Sequence, residues 1–208
     1  MADKPHFLPV TPGGRYVRQT LVVRLKHRLN LPDLSPLHRI DRETAGLVLF
    51  SLRPQDRDAY QRLFRERSVD KTYEAIAPWR EDLAWPQTRR SHIREQEDAF
   101  YRMREAEPHE GLPPNSETHL HLLERHGDWA RYRLEPVTGK RHQLRVHMNA
   151  LGVPLVGDQF YPTVRRGPDD AEDFSEPLRL LARAIAFTDP VTGEARRFES
   201  RLQLDWPA

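Results

Sequence analysis

The chain of 208 residues contains no cysteine. That excludes a disulfide scaffold, a thiolate nucleophile and any zinc site built on cysteine, the base-deaminase centre included. The same absence suits a reducing compartment, so cytoplasmic residence is the expectation. Long hydrophobic runs are missing too: no apolar stretch reaches bilayer-spanning length, and no membrane partner is expected. Asp3, Lys4 and Pro5 stand where a signal peptide would need its charge-free core. Glycine is sparse, 10 against 18 prolines, which favours rigid connections over flexible linkers. No phosphate loop is present, since Thr11-Pro12-Gly13-Gly14 lacks the lysine and the strand-to-helix setting. A large charge excess is absent as well. With a formal net charge of +2, the placement of the arginines matters more than their total.

What remains is sufficient for one substantial core, 38% hydrophobic and 9% aromatic, and a single domain over residues 1–208 is expected. The stretch His38-Arg39-Ile40-Asp41-Arg42 packs a carboxylate, two guanidiniums and an imidazole together, then runs into apolar Gly46-Leu47-Val48-Leu49-Phe50. Residues 46–50 predict a buried strand or a buried helix segment, and either puts Asp41 at the lip of a core element. Flanking cations keep such a carboxylate ionised even when it is partly desolvated. A catalytic carboxylate is prepared in this way, and a structural ion pair looks the same. Distant segments must decide between them.

Residues 3–14, punctuated by proline, predict a loop. Residues 20–29 predict a helix with Leu21, Val22, Leu25 and Leu29 inward and Arg24, Lys26 and Arg28 on wetter faces. Residues 54–67 predict a second helix, with Pro54 in its first turn and a Tyr60, Leu63, Phe64 stripe. Residues 71–79 alternate as a strand with Tyr73, Ala75 and Ala77 on one face. One or two strands are expected within 92–103, and a loop over 105–116. Residues 118–124 and 129–134 predict a hairpin about His126-Gly127-Asp128, and 178–187 with 196–204 another. Residues 163–177 predict a surface excursion. The sum is an α+β fold, a mostly antiparallel sheet with flanking helices.

Residues 140–151 predict a further helix, ended by Gly152, with Leu144, Met148 and Leu151 as its apolar face. On that reading Arg141 and Arg145 are neighbours one turn apart, and the helix start offers N–H groups to a phosphate. Solvated surface arginines are the plainer alternative. His119 and His121 share a strand face, which permits a metal pair without establishing one; the expectation is no metal site. Tyr73 taken alone reads as a half-buried strand residue.

At this point four ordered segments carry a resemblance. His38-Arg39-Ile40-Asp41-Arg42-Glu43-Thr44-Ala45-Gly46-Leu47-Val48-Leu49-Phe50 resembles the aspartate motif of the RluA-type family of RNA pseudouridine synthases. Asp3-Lys4-Pro5, Lys71-Thr72-Tyr73-Glu74-Ala75 and Thr138-Gly139-Lys140-Arg141-His142-Gln143-Leu144-Arg145-Val146-His147 resemble further family segments, and Gly152 to Asp158 continues the last. The resemblance implies a mixed sheet with a central cleft, and isomerisation of uridine to pseudouridine within RNA, with no metal or organic cofactor. It implies the essential aspartate at Asp41, the active-site tyrosine at Tyr73 and the arginine paired with the aspartate at Arg145. Arg39 falls where an arginine fills the space left by a flipped nucleotide. Arg42, Lys71, Lys140, Arg141, His142 and Arg183 are the further RNA-contact candidates. The chain departs from the family pattern at Ile40, Ala45 and Arg183, where leucine, serine and histidine are common. The strand that usually leads into Asp-Lys-Pro, and an S4-like RNA-binding domain, are expected to be missing. A monomer acting on rRNA or tRNA is expected. A non-catalytic RNA-binding protein and a metal-dependent nuclease are the competing readings.

Overall fold

The computed structural model describes residues 1–97, 99–165, 167 and 170–207. In chain order its elements are β1 (Ala2–Lys4), α1 (Leu21–Leu29), β2 (Ser35–Pro36), β3 (Ala45–Val48), β4 (Phe50–Ser51), α2 (Arg57–Arg65), β5 (Asp70–Pro78), β6 (Gln87–Ser91), β7 (Ile93–Gln96), β8 (Ala99–Glu105), β9 (Ser116–His126), β10 (Trp129–Pro136), α3 (Gln143–Ala150), β11 (Leu180–Thr188) and β12 (Ala195–Glu199). This is the α+β class expected, mixed but mostly antiparallel, with flanking helices. Two units divide the chain: Met1–Thr72 with Leu181–Gln203, and Tyr73–Leu180 with the residues from Leu204 onward. No helix among the described residues is long and apolar enough to cross a membrane.

In the first unit β3 is the inner strand, all four of its residues buried. It pairs antiparallel with β1 and parallel with β11, which in turn pairs antiparallel with β12. The β1 pairing corrects the loop expected from residue 3: Asp3 lies opposite Leu47 and Lys4 opposite Gly46. Too few residues precede Pro5 for periodicity to register a strand whose ladder comes from a partner far along the chain. The buried segment expected over 46–50 is a strand interrupted at Leu49, whose N–H is taken by His38 Nε2 at 3.1 Å. Gly46 has φ 108°, and an added Cβ would lie 2.3 Å from the Ala182 carbonyl oxygen, so the β3–β11 approach admits glycine alone.

Thr20 caps α1, its hydroxyl accepting from Val23 N–H at 3.5 Å, and Asn30 closes the helix in the left-handed conformation. Pro54 opens a 3-10 turn that leads into α2, where Tyr60, Leu63 and Phe64 pack on Leu37, Leu47, Leu49 and Ile185.

The second unit orders its antiparallel strands β5-β10-β9-β6, with β7 and β8 as a separate hairpin. Along β10, Ala130, Tyr132, Leu134 and Pro136 are buried and alternate with half-exposed Trp129, Arg131, Arg133 and Glu135, the expected period of two. Leu144 and Met148 of α3 close this core over Ala75, Ala77, Leu120 and Leu134. Residues 163–165 and 171–176 are mostly exposed, as expected of a surface excursion; positions 166, 168 and 169 lie outside the described residues.

Candidate active site

Of the residues singled out from sequence, Arg39, Asp41, Arg42, Lys71 and Arg183 belong to the first unit, and Tyr73, Lys140, Arg141, His142 and Arg145 to the second. The Asp41 turn is built by the chain's opening segment. Thr44 N–H donates to the Asp41 carbonyl at 3.2 Å, and the next two carbonyls are bound from outside the turn. Lys4 Nζ donates to Arg42 O at 3.0 Å and to Pro5 O at 3.0 Å, while His6 Nδ1–H donates to Glu43 O at 2.6 Å. Lys4 is fully buried, and burial pushes its pKa down to about 7, against the pull of Glu43 and Asp41 and with the push of Arg42. A buried ammonium clamping backbone carbonyls beside a carboxylate fixes where that carboxylate stands.

Arg42 pairs with Glu43 at 2.9 Å and lies over the Phe7 and Tyr16 rings at 5.8 and 5.0 Å. Arg39 beside it is exposed. His38 stacks on Phe64 with centroids 4.8 Å apart and accepts the Leu49 N–H, so it packs the strand rather than facing outward. Burial, then the Lys71 charge, lowers its pKa to about 4. Lys71 itself is lowered by burial and by Arg67. Arg183 Nη1 donates to the carbonyls of Ser200 and Leu202 at 2.7 and 3.2 Å.

In the second unit Arg145 is 1% exposed, which overturns the solvated-arginine alternative. Asp158 grips it bidentately, Nε to Oδ2 at 2.8 Å and Nη2 to Oδ1 at 2.7 Å. Asp158 Oδ1 also accepts the N–H groups of Phe160 and Tyr161 at 2.8 and 3.2 Å, and both rings lie against the guanidinium at 5.0 and 5.4 Å. Gly157, at φ 74° and with room for no Cβ against Pro177 O, sets the turn that delivers Asp158. Sequence reasoning gave Asp158 no role. Its one signal was isolation: no other acidic residue stands between Glu135 and Asp169.

The start of α3 also differs from the expectation. The helix begins at Gln143, because His142 is left-handed at φ 54° and Gln143 Oε1 accepts both the Lys140 N–H at 3.0 Å and the Thr138 hydroxyl at 2.6 Å. Lys140 and Arg141 therefore precede the helix, and Arg141 does not share a helical face with Arg145. Both are exposed, Arg141 donating to Tyr101 O at 3.1 Å. The phosphate-binding helix start is corrected accordingly. His142 is buried, stacked on Phe160 at 5.7 Å, with Nδ1–H donating to Tyr161 Oη at 3.1 Å. Burial raises the Tyr161 pKa to about 12.

The opposite flank of α3 carries a hydrogen-bonded cluster. Ser116 Oγ–H donates to Ser91 O at 2.6 Å, His147 Nε2 lies 3.1 Å from both Ser116 Oγ and Ser91 Oγ, and His147 Nδ1 lies 2.9 Å from Thr118 Oγ1. Thr118 in turn accepts from Gln143 Nε2 at 2.9 Å. Gln143 and His147, one turn apart, tie α3 to β9 through groups that sequence reading had left without a task. Burial lowers the His147 pKa to about 4, Glu105 opposing and Arg89 assisting. His119 and His121 have separate partners, Thr88 and Glu135.

A family model described as RNA pseudouridylate synthase matches residues 1–150. The dual-specificity RNA pseudouridine synthase RluA of Pasteurella multocida (strain Pm70) is 32% identical over 208 residues, 95% of this chain and 86% of that protein. Ribosomal large subunit pseudouridine synthase D of the same organism is 29% identical over 98% of this chain and 64% of its own length. Among solved structures, human RNA pseudouridylate synthase domain containing 1 superposes with a TM-score of 0.75 at 27% identity, covering 95% of this chain and 77% of that one.

Proposed function

This chain belongs to the RNA pseudouridylate synthase family, and from that premise we propose that it converts particular uridines of structured rRNA or tRNA with Asp41 as the essential carboxylate. It is an RNA pseudouridine synthase; the target and the roles of individual residues are the proposal. One observation carries the assignment of Asp41: its turn lies within the matched residues and is held through consecutive carbonyls by buried Lys4 and by His6. A carboxylate on so rigid a support keeps its position while a substrate enters and leaves.

The reaction breaks N1–C1′, turns the uracil, joins C5 to C1′ and removes the C5 proton. Asp41 serves either as nucleophile at the sugar or as base at C2′, and both routes require the anion. Tyr73 stacks on the uracil, and Arg145 orients and neutralises the carboxylate. The uridine leaves its stack, and Arg39 fills the place it vacates. Arg42, Lys71, Lys140, Arg141, His142 and Arg183 are proposed for the RNA side, the exposed Lys140 and Arg141 toward phosphates. One relative is named as dual-specificity and another as a ribosomal large subunit enzyme, which supports a proposal not confined to a single RNA target.

Tritium release from RNA containing 5-tritiated uridine tests the reading. The wild type is expected to release tritium in excess EDTA, and Asp41→Asn to bind RNA with near wild-type affinity while release stays at background. An Asp41→Asn protein that folds, binds and turns over normally would remove Asp41 from the chemistry.

A further inference from the structure

We propose that α1 and the arm before it form a docking surface for the phosphate backbone of the substrate RNA; this rests on the reading that RNA is the substrate. Between Lys4 and Asp33 the chain has no acidic residue, although it carries 31 elsewhere. Within that stretch Arg18, Arg24 and Arg28 are exposed, and Lys26 is half-buried. None of the four forms an ion pair with a carboxylate among the described residues.

Many exposed arginines elsewhere are answered by a carboxylate: Arg53 pairs with Asp56, Arg62 and Arg65 with Asp58, Arg80 with Asp82, and Arg197 with Glu199, whereas Arg39, Arg67, Arg125 and Arg201 stand singly along the chain. Arg24 and Arg28 stand one helical turn apart on the same face, an arrangement that is mutually repulsive until an anion answers it. Gln19 Oε1 accepts from Nε and Nη2 of Arg24 at 3.1 and 2.7 Å, which aims the guanidinium and leaves its charge in place. The helix dipole accounts for Lys26 and Arg28 in the last turn. It does not account for Arg18, which precedes the Thr20 cap, or for Arg24 in the middle of the helix. A row of phosphates answers Arg18, Arg24 and Arg28 together. A lipid surface fits less well, because Leu21 and Val22 are buried and of the apolar residues of α1 Leu29 alone is exposed.

The test compares Arg18→Gln/Arg24→Gln/Arg28→Gln with wild type, using a short fluorescent RNA duplex as probe. Backbone contacts are independent of sequence, so the duplex needs no target uridine. The slope of log K against log salt is expected to flatten by roughly 2 to 3, with affinity at low salt falling about tenfold or more. A control of equal charge change, Arg62→Gln/Arg65→Gln/Arg197→Gln, is expected to keep the wild-type slope. Equal slopes for wild type and the first variant overturn the proposal, as does an equal fall in the control. A loss confined to binding of phosphatidylserine vesicles, with RNA affinity unchanged, overturns it too. Tritium release at saturating RNA is expected to stay at the wild-type rate. Should the wild type bind duplex through these arginines and release no tritium, the proposed reaction fails while the docking surface stands.

Discussion

Arg145 and Asp158 form a bidentate pair with side-chain exposures of 1% and 0%. Neither charge meets water; the two parallel bonds hold the guanidinium, and Asp158 also accepts two backbone N–H groups. Removing the Asp158 charge takes a bidentate acceptor from a buried guanidinium. Asp158→Asn is expected to cost about 3–5 kcal/mol in urea unfolding. Arg145→Lys is expected to fare little better, because a point charge cannot reproduce two parallel bonds. A midpoint for Asp158→Asn within the error of wild type would show that the pair carries little of the fold.

Lys4 reaches Arg42 O across 38 residues of sequence. Lys4→Met keeps the bulk of the side chain and removes the donor to both carbonyls. If the Asp41 turn works through its rigidity, kcat is expected to fall about tenfold, equivalent to ~1.4 kcal/mol of barrier, with RNA affinity little changed. The pH dependence supplies a second readout. The folded pKa of about 7 lies below the ordinary 10.5, so the unfolded chain binds more protons between those values and stability rises with pH across that window. The melting temperature of Lys4→Met is expected to climb less between pH 7 and 10 than that of wild type. Parallel curves would place Lys4 in a different protonation regime.

The folded pKa of His147, about 4, lies below the ordinary 6.5; the unfolded chain takes up protons first, and stability is lost as pH falls through that interval. Because the ring is fully buried, the loss is expected to reach on the order of 3 kcal/mol by pH 4. His147→Asn is expected to be less stable at neutral pH and to have a flatter acid limb. Urea unfolding at pH 7 and pH 4 measures both; an acid limb as steep for His147→Asn as for wild type would remove His147 from the acid response.

Tyr73→Phe separates ring from hydroxyl. Stacking survives the change, so uridine entry and early bond cleavage are expected to survive too. If the phenol assists the last proton transfer, tritium release slows and a rearranged, still C5-protonated species accumulates. Release at the wild-type rate would leave Tyr73 as a stacking surface.

Much of this was legible along the chain. The period of two over residues 129–134, the Thr20 cap and the placement of Pro54 are local regularities, each fixed by bonds a few residues apart. The run from His38 to Phe50 likewise announced a carboxylate at the mouth of a buried element. What could not be read was where polar groups go once they are buried. Spacing alone left Arg145 open between a solvated surface arginine and an anion-bound one; the carboxylate that grips it lies 13 residues on, and Arg141 is not on that helix at all. Residues 3–4 looked like loop because their ladder partners lie in β3. Periodicity reports which face of an element is apolar. It is silent on buried charges and imidazoles, since the cost of desolvating them must be met by hydrogen bonds from elsewhere in the chain. Those partners, Asp158 for Arg145, Thr118 and Ser116 for His147, and the Arg42 carbonyl for Lys4, exist only once the chain has closed on itself.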